Sequence, residues 1–361
     1  MSTEDPTPVE SGKPAPVRIG ILHDRPQPDA GASFERTARI GVDDVAAARQ
    51  LDRGIEFIHE SGHGLPMGTA RAVEDAFASL AEQGVLAIIG PAISDNGLVA
   101  RDLADAARIP CINYTGGEQT RSEWMFHYQV GSLEDEPTVL ARHLSARGLE
   151  TAAVVYDRSP IGQRYAEYFD QACASLGIDL IGRTGISPLQ QDLSGVAAKL
   201  QAVAPEALVY LGLGLSAYPL GQAVAKAGWD VPVAANSALM FGYAYPEWTR
   251  VWEGWSYVDA ISDDNRLLAR LQDRIDADAS PSPGTAAAYD LGRLVAEGVG
   301  RAVALTRDGL RDALERIKLL PATIGREGTT MGFGRWERSA LKGEFLVLRQ
   351  WRAGRSLELD D

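Results

Sequence analysis

The sequence predicts an α/β protein of two doubly wound lobes, each a parallel sheet with helices on both faces. The first observation is that short apolar runs alternate with amphipathic segments, which is typical of parallel strands joined by crossover helices. The second is that this alternation stops near residue 130 and then restarts, which indicates a second unit of similar construction. The third is the length of 361 residues, which exceeds what one hydrophobic core usually serves.

The strands of the first unit are apolar runs that end in polar or glycine-containing turns. Val85 to Ile89 is too short for a buried helix and ends in Gly90-Pro91, so we predict a strand that is covered on both faces. Ser94 follows and is the predicted N-cap of the next helix. The predicted strands of this unit cover residues 17–22, 55–60, 85–89 and 110–114, with an extended aromatic segment at 124–130.

The second unit repeats the pattern, and the chain then becomes helical. Apolar residues at helical spacing indicate helices over much of 263–319. A strand-like run at 345–351 closes the chain. The predicted strands of the second unit cover residues 151–156, 179–186, 207–213 and 231–235.

Charge and composition exclude several classes of partner. A formal net charge of −14 would repel a phosphate backbone, so we expect no nucleic acid. No apolar run reaches the roughly 18 residues of a membrane span. The acidic, proline-containing start at 1–16 has no secretory signal pattern, which predicts a disordered leader and a cytoplasmic location as written. An extracytoplasmic location follows if that start is truncated or replaced. Cys111 and Cys173 are interpreted as core residues.

The residues HESGH at 59–63 match the HExxH pattern of zinc metalloproteases. That chemistry requires a helix, because only i,i+4 spacing on a helix brings His59 and His63 to one metal. Here the stretch follows a strand-like run and leads into Gly62, Gly64 and Pro66, which oppose a helix. We therefore interpret the match as accidental and expect no metal.

The segment Gly212-Leu213-Gly214 follows a predicted strand and is similar to part of a dinucleotide-binding fingerprint. Ala217 stands where the third glycine belongs, and no acid ends the next strand. A turn that needs small residues is the favoured interpretation. The sequence also has no Walker A, GxSxG or CxxC pattern, so we expect neither a cofactor nor an enzyme.

Polar residues at the carboxyl ends of predicted strands form the candidate site. Ligands of open parallel sheets sit at this edge, where helix N-termini also point. We therefore predict a polar pocket here. Its residues are His23 after the first strand, Ser94 and Asp95 after the third, and Tyr114, Thr115, Gly116 and Gly117 after the fourth.

Five segments in this order resemble the type I periplasmic-binding fold of the leucine/isoleucine/valine-binding and amide-binding proteins. The resemblance implies two lobes joined by three crossovers, near Val130, Ala260 and Phe333. Lobe 1 would comprise residues 17–130 plus 262–332, and lobe 2 residues 131–261 plus 333–361. The segments are IIGPAIS at 88–94, IPCIN at 109–113, VVYDRSPIGQRYAEYF at 154–169, AYDLG at 288–292 and GRWERSALKGEF at 334–345.

The resemblance also implies a ligand in the cleft between the lobes. In the first lobe it is held by Ser94 and the loop 114–117. In the second lobe the family usually has an aromatic residue where Ile161 stands, and an acid where this chain has Asn236-Ser237. That acid pairs with the ammonium group of amino-acid ligands.

Its absence here predicts a ligand without a free α-ammonium, because a buried ammonium needs a partner. An apolar end of the ligand would then lie beside Ile161 and the turn with Gly214 and Leu215. A shifted alignment would make Asp157 or Asp24 the acid instead.

The predicted function is binding of a small polar ligand, with no chemistry performed on it. The ligand would be an amide, a carboxylate or a molecule similar to an amino acid. The chain would serve as the substrate-binding component of an ABC-type importer, with a permease as partner. A cytoplasmic sensor of the amide-receptor type, which regulates a partner protein, is the alternative. An HExxH hydrolase or a dinucleotide-dependent enzyme is the remaining class.

Overall fold

The computed structural model describes residues 14–25, 30–49, 51–275 and 282–360, so residues 1–13 of the predicted leader lie outside it. Within these ranges, no helix is both long and apolar enough to cross a membrane. The elements of the first half are Val17–His23 (β1), Ala30–Arg49 (α1), Ile55–Ser61 (β2), Ala70–Glu82 (α2), Ala87–Ile89 (β3), Ser94–Ala107 (α3), Cys111–Asn113 (β4) and Met125–His127 (β5).

These five strands form one parallel sheet in the order β2-β1-β3-β4-β5. Alternate residues of each strand face opposite cores, as the pleat of a strand requires. Ile19 and Ile21 of β1 pack in one core with α1, while Leu22 and Ile88 pack in another with α2 and α3. The predicted strand–helix alternation of the first lobe is therefore confirmed.

The second half repeats this construction. Its elements are Glu136–Ala146 (α4), Thr151–Asp157 (β6), Pro160–Leu176 (α5), Asp179–Ile186 (β7), Ser194–Gln201 (α6), Ala207–Leu211 (β8), Ala217–Lys226 (α7), Val233–Ala235 (β9), Phe241–Ala244 (α8) and Ser256–Asp259 (β10).

The chain then returns toward the first sheet through Arg266–Gln272 (α9), Pro283–Arg301 (α10) and Arg307–Leu314 (α11), followed by Leu320–Pro321 (β11), Thr330–Met331 (β12), Leu341–Lys342 (β13), Val347–Arg352 (β14) and Arg355–Glu358 (β15). The long helix α10 packs closely on α1. A Cβ atom on Gly41 would lie 2.2 Å from the Tyr289 carbonyl oxygen, so only glycine permits this approach.

The second sheet has seven strands in the order β15-β14-β10-β9-β8-β6-β7. Strands β6 to β10 run parallel, whereas β14 and β15 form an antiparallel hairpin at the edge. The sequence predicts a single closing strand at 345–351, and the hairpin partner β15 is an addition to that prediction.

Residues 320–342 are not helical but form the small antiparallel sheet β11-β12-β13. Phe333, Ala340 and Leu341 pack in the core of the first sheet, and the Phe333 ring meets Phe126 at 4.9 Å. The Leu341 amide also donates to the Gln129 side chain. The predicted boundary near Phe333 is therefore too early, and the third crossover lies between β13 and β14.

Candidate functional site

A cleft of about 750 Å³ lies between the two lobes. Its walls come from the carboxyl ends of strands in both sheets and from the helices that follow them. Residues predicted from the sequence that line this cleft are His23, Ser94, Asp95, Tyr114, Gly116, Ile161, Asn236 and Ser237.

The turn that precedes α3 is held by a buried carboxylate. Asp24 accepts hydrogen bonds from the backbone N–H groups of Ala92 (3.1 Å) and Ile93 (2.9 Å), and from the Asn96 amide (2.9 Å). Both oxygens are therefore engaged within the first lobe. This leaves Asp24 poorly suited to pair with a ligand ammonium.

Ser94 is the first residue of α3, and its prediction as N-cap is wrong. Ile93 occupies the cap position with an extended backbone, and no side chain caps the helix. The Asp24 carboxylate holds the amides of Ala92 and Ile93, which precede the helix, and no side chain accepts from the first amides of α3 itself. The Ser94 hydroxyl is thereby left to the cleft, which Ser94 lines.

Thr115 and Gly117 lie beneath the cleft surface. The Thr115 hydroxyl donates to the Asn113 side-chain oxygen at 2.9 Å and is buried. A Cβ atom on Gly117 would stand 3.1 Å from the Ser94 hydroxyl oxygen and 3.3 Å from Ile161. These two residues therefore shape the loop, while Tyr114 and Gly116 reach the cleft.

Asp95 faces the start of α5 across the cleft. Burial raises the pKa of its carboxyl, and the Ile161 amide and the Ser159 hydroxyl counter this only in part. Its Oδ1 atom is buried without a hydrogen-bond partner among the described residues.

A second contact between the lobes lies beside the cleft. Glu118 accepts hydrogen bonds from Arg164 (3.3 Å) and from the Tyr168 hydroxyl (3.1 Å), both on α5. Because Glu118 belongs to the first lobe and α5 to the second, this contact depends on how the lobes are arranged.

The turn after β8 is built around Asp157. This carboxylate accepts from the Leu213 amide at 2.7 Å and from the Tyr210 hydroxyl at 3.1 Å, and burial raises its pKa to about 6. A Cβ atom on Gly212 would lie 2.4 Å from the Asp157 carboxyl group, and Gly214 has a φ of +110°. The prediction of a turn that needs small residues is confirmed.

Gly214 and Leu215 do not reach the cleft; Leu213 of the same turn does. Asn236 lines the cleft, but its amide exchanges hydrogen bonds with both backbone groups of Gly212. The second lobe thus offers Asn236 and Ser237 at the position where the resemblance places an acid.

Glu136 is a site residue that the sequence analysis missed. It lies fully buried at the start of α4 and accepts from the Ser132 amide (2.5 Å), the Ser237 amide (2.7 Å) and the Ser237 hydroxyl (3.0 Å). Tyr165, which lines the cleft, also bonds to it. A signal existed, since helical spacing places Glu136 on the same face as Leu140 and Leu144.

Burial raises the pKa of Glu136 to about 7, although these hydrogen bonds act in the opposite direction. The carboxyl group connects the first crossover, through Ser132, to the loop after β9, through Ser237. It is therefore a buried titratable group between two segments. One is the first crossover, which we call the hinge, and the other is the loop after β9, which we call the cleft floor.

The HExxH residues are not on a helix. His59 lies in β2, and His63 lies in the loop after it, so the non-helical prediction for this stretch is confirmed. Across residues 14–25, 30–49, 51–275 and 282–360, no three histidine, cysteine or acidic side chains are grouped so that they could hold a metal ion.

The model of the periplasmic binding protein family matches residues 16–341. The chain belongs to this family. Solved structures of periplasmic binding proteins share its fold over nearly the whole chain. The periplasmic binding protein type 1 of Bordetella pertussis Tohama I superposes with a TM-score of 0.81 at 16% identity, covering 96% of this chain and 100% of that one.

Two further structures extend this likeness. The branched-chain amino acid binding protein LivJ of Streptococcus pneumoniae, in complex with isoleucine, has a TM-score of 0.79 at 16% identity and covers 96% of this chain and 100% of its own. A putative branched-chain amino acid ABC transporter protein of Rhodospirillum rubrum has a TM-score of 0.68 at 20% identity, with 95% and 100% covered. At these identities the likeness shows the fold of this periplasmic binding protein.

One curated relative is similar in sequence. The penicillin-binding protein activator LpoA of Edwardsiella piscicida is 29% identical over 174 residues, which cover 46% of this chain and 23% of that protein. The chain thus spans about a quarter of the relative's length. The family and its structural neighbours are ligand-binding proteins.

Proposed function

We propose that this protein binds a small polar ligand in the interlobe cleft and delivers it as the substrate-binding component of an ABC-type importer. The observation that carries the proposal is the cleft itself, which is lined from both lobes and holds about 750 Å³. This volume lies in the upper part of the roughly 300–1,000 Å³ range of small-molecule sites.

The first lobe suits an oxygen acceptor on the ligand. The Ser94 hydroxyl lies at the N-terminus of α3, where backbone N–H groups and the helix dipole favour a carbonyl or carboxylate. The acceptor is therefore an amide, a carboxylate or a similar group. The neighbouring apolar wall, formed by Phe34 and Tyr114, suits the rest of the molecule.

The second lobe favours an uncharged group. Asn236 is bound to Gly212, and the Ser237 hydroxyl is bound to Glu136. Among the described residues that line the cleft, the carboxylates are Asp24 and Asp95. Both belong to the first lobe: Asp24 is engaged there, and Asp95 lies in the first turn of α3, so no carboxylate among the described second-lobe residues lines the cleft. A free α-ammonium group would therefore lack a good counter-ion here.

A sensor that reports ligand to a protein partner is the second candidate. The sequence match to a protein named as a penicillin-binding protein activator, which covers 46% of the chain, favours this role. The cleft would bind the same class of ligand in both roles. Only the protein that recognises the closed form would differ.

A thermal-shift screen tests the ligand class. Free amino acids, their amides and their deaminated acids are compared at equal concentration, and any hit is titrated by calorimetry. We expect stabilisation by amides or acids and little by leucine or valine. Micromolar binding of free leucine, with no binding of the deaminated analogue, would refute the ligand class.

Small-angle scattering tests the binding mode. A stabilising ligand should reduce the radius of gyration, because hinge closure brings the lobes together around it. An unchanged radius at saturation would refute closure. Native mass spectrometry of protein from its own host offers an independent route, since a tightly held ligand stays bound.

A further inference from the structure

Two histidines and a glutamate form a chain of hydrogen bonds that ends at the cleft. Glu35 Oε2 lies 2.7 Å from His59 Nε2, and His59 Nδ1 lies 2.9 Å from His23 Nε2. His23 lines the cleft, whereas the exposed His59 and the half-buried Glu35 do not. The Phe34 ring packs edge-on against His23 and stacks on Tyr114, so the histidine ring belongs to an aromatic wall.

The glutamate decides which nitrogen atoms carry hydrogen. Burial acts to raise the pKa of Glu35, but hydrogen bonds from Arg39 and His59 outweigh it and hold that pKa below its usual value. An ionised carboxylate only accepts, so His59 Nε2 must carry the hydrogen. In a neutral imidazole the other nitrogen then accepts, so His59 Nδ1 receives the N–H of His23 Nε2.

His23 Nδ1 is consequently left without hydrogen, as a bare acceptor. It has no hydrogen-bond partner in the described part of the chain, and the residue that carries it lines the cleft. Burial lowers the pKa of His23 to about 4, and the charges of His59 and Arg25 act in the same direction. The charged side chains around the pair are Glu35 and Arg39 from α1, and Asp24 and Arg25 after β1.

We propose that His23 Nδ1 is a specificity-determining acceptor, which selects ligands that present an N–H or O–H donor to the first-lobe wall. This inference rests on the proposed function and narrows its ligand class. An amide satisfies both His23 and the donors at the start of α3, because it carries an N–H group and a carbonyl oxygen. An ester offers no donor, and a carboxylate would place a second acceptor against the bare nitrogen.

The tautomer is tested without any ligand. Long-range proton–nitrogen NMR spectra of the full chain with labelled histidine, at neutral pH, distinguish protonated from bare ring nitrogens. The chain has five histidines, so single substitutions assign the signals, with the exposed His63→Gln as a control. We expect a bare Nδ1 and a protonated Nε2 for His23, and a protonated Nδ1 there would overturn the inference.

The role of the glutamate is tested in the same spectra. Glu35→Ala removes the acceptor that fixes the chain, so His23 should become a mixture of tautomers. Glu56→Ala is the matched control, because Glu56 lies on β2 and pairs with Arg18 instead. If the His23 tautomer is unchanged in Glu35→Ala, Glu35 does not set it through the chain of hydrogen bonds, and that part of the inference is contradicted.

Ligand selection is tested with benzamide, methyl benzoate and benzoate as probes. We expect benzamide to bind roughly threefold to tenfold more tightly than the ester, as one net hydrogen bond allows. His23→Phe should bring this ratio close to one. An equal ratio in both proteins overturns the role of His23, and tighter binding of benzoate assigns selection to Arg25 instead.

These outcomes are separate from those of the proposed function. If none of the three probes binds, the selection by His23 is refuted for this ligand class. Closure around other ligands is still decided by scattering. Conversely, if His23 Nδ1 carries no hydrogen but the protein never closes on a ligand, the tautomer of His23 is confirmed and the proposed binding function is refuted.

Discussion

Glu136→Gln tests the buried carboxyl group between the hinge and the cleft floor. Glu136 is fully buried, and burial raises its pKa from 4.5 to about 7. Between these two values the folded state binds more protons than the unfolded state. The free energy of unfolding must therefore fall as pH rises through this interval, and the loss is complete above the folded pKa.

The magnitude follows from the shift. A change from 4.5 to about 7 corresponds to about 3.4 kcal/mol at roughly 1.36 kcal/mol per pKa unit. Between about pH 5 and about pH 8, some 2.5 kcal/mol of this is expressed. Glutamine does not titrate, so the variant lacks this component. It also turns an amide N–H toward donors such as the Ser237 amide, which costs about 1–3 kcal/mol at every pH.

Urea unfolding of both proteins across this pH range measures the difference. The variant should be less stable near pH 5, and the gap should narrow by about 2.5 kcal/mol toward pH 8. Asp157, His23 and His127 also have shifted pKa values, but they titrate in both proteins and cancel. Glu150→Gln, at an exposed side chain, is the control. Parallel profiles for wild type and Glu136→Gln would refute the reasoning.

Three other substitutions probe the hinge and the cleft. Gly131→Ala should lower the free energy of unfolding by at least about 1–3 kcal/mol in chemical denaturation, because φ is +89° and a Cβ atom would lie 2.5 Å from the Glu136 carboxylate. Gly148→Ala, with φ +70° and open space, should cost less, and an equal cost would exclude the clash. Ser94→Ala should weaken calorimetric binding of a carboxylate ligand by about 1.5–3 kcal/mol, with little change in Tm because Ser94 caps no helix. Glu118→Gln should weaken ligand affinity severalfold and enlarge the unliganded radius of gyration, since it loosens the contact with Arg164; identical scattering curves would contradict this.

Periodicity made the lobes predictable, because each helix buries one face and each central strand buries both, and both requirements set the order of apolar residues along a short stretch of sequence. The run that forms β3 and the spacing of Val73, Phe77 and Leu80 in α2 are examples. Residues 320–342 show the limit of this approach. Short strands with few alternating positions leave no periodic signal, and only packing against Phe126 and Gln129 fixes where Phe333 and Leu341 belong.

The candidate site was predictable where function follows the strand ends. Ser94, Asp95 and Tyr114 reach the cleft because parallel strands bring their carboxyl ends to one edge. The hydrogen-bond partners of individual side chains could not be predicted. The Thr115 hydroxyl bonds to the Asn113 side chain beneath the cleft surface, and no local pattern in the sequence indicates this contact.

The sequence by itself determined the α/β class, the duplication into two lobes and the edge at which a ligand can bind, because these follow from local periodicity and from strand order. The tertiary structure alone decided the pairings over long distances. Glu136 meets Ser237 across 101 residues, and Tyr128 meets Asp290 across 162. The tautomer of His23 is decided in the same way, through His59 and Glu35. Such contacts join residues whose positions along the chain carry no mutual signal, since only the folded backbone brings them together.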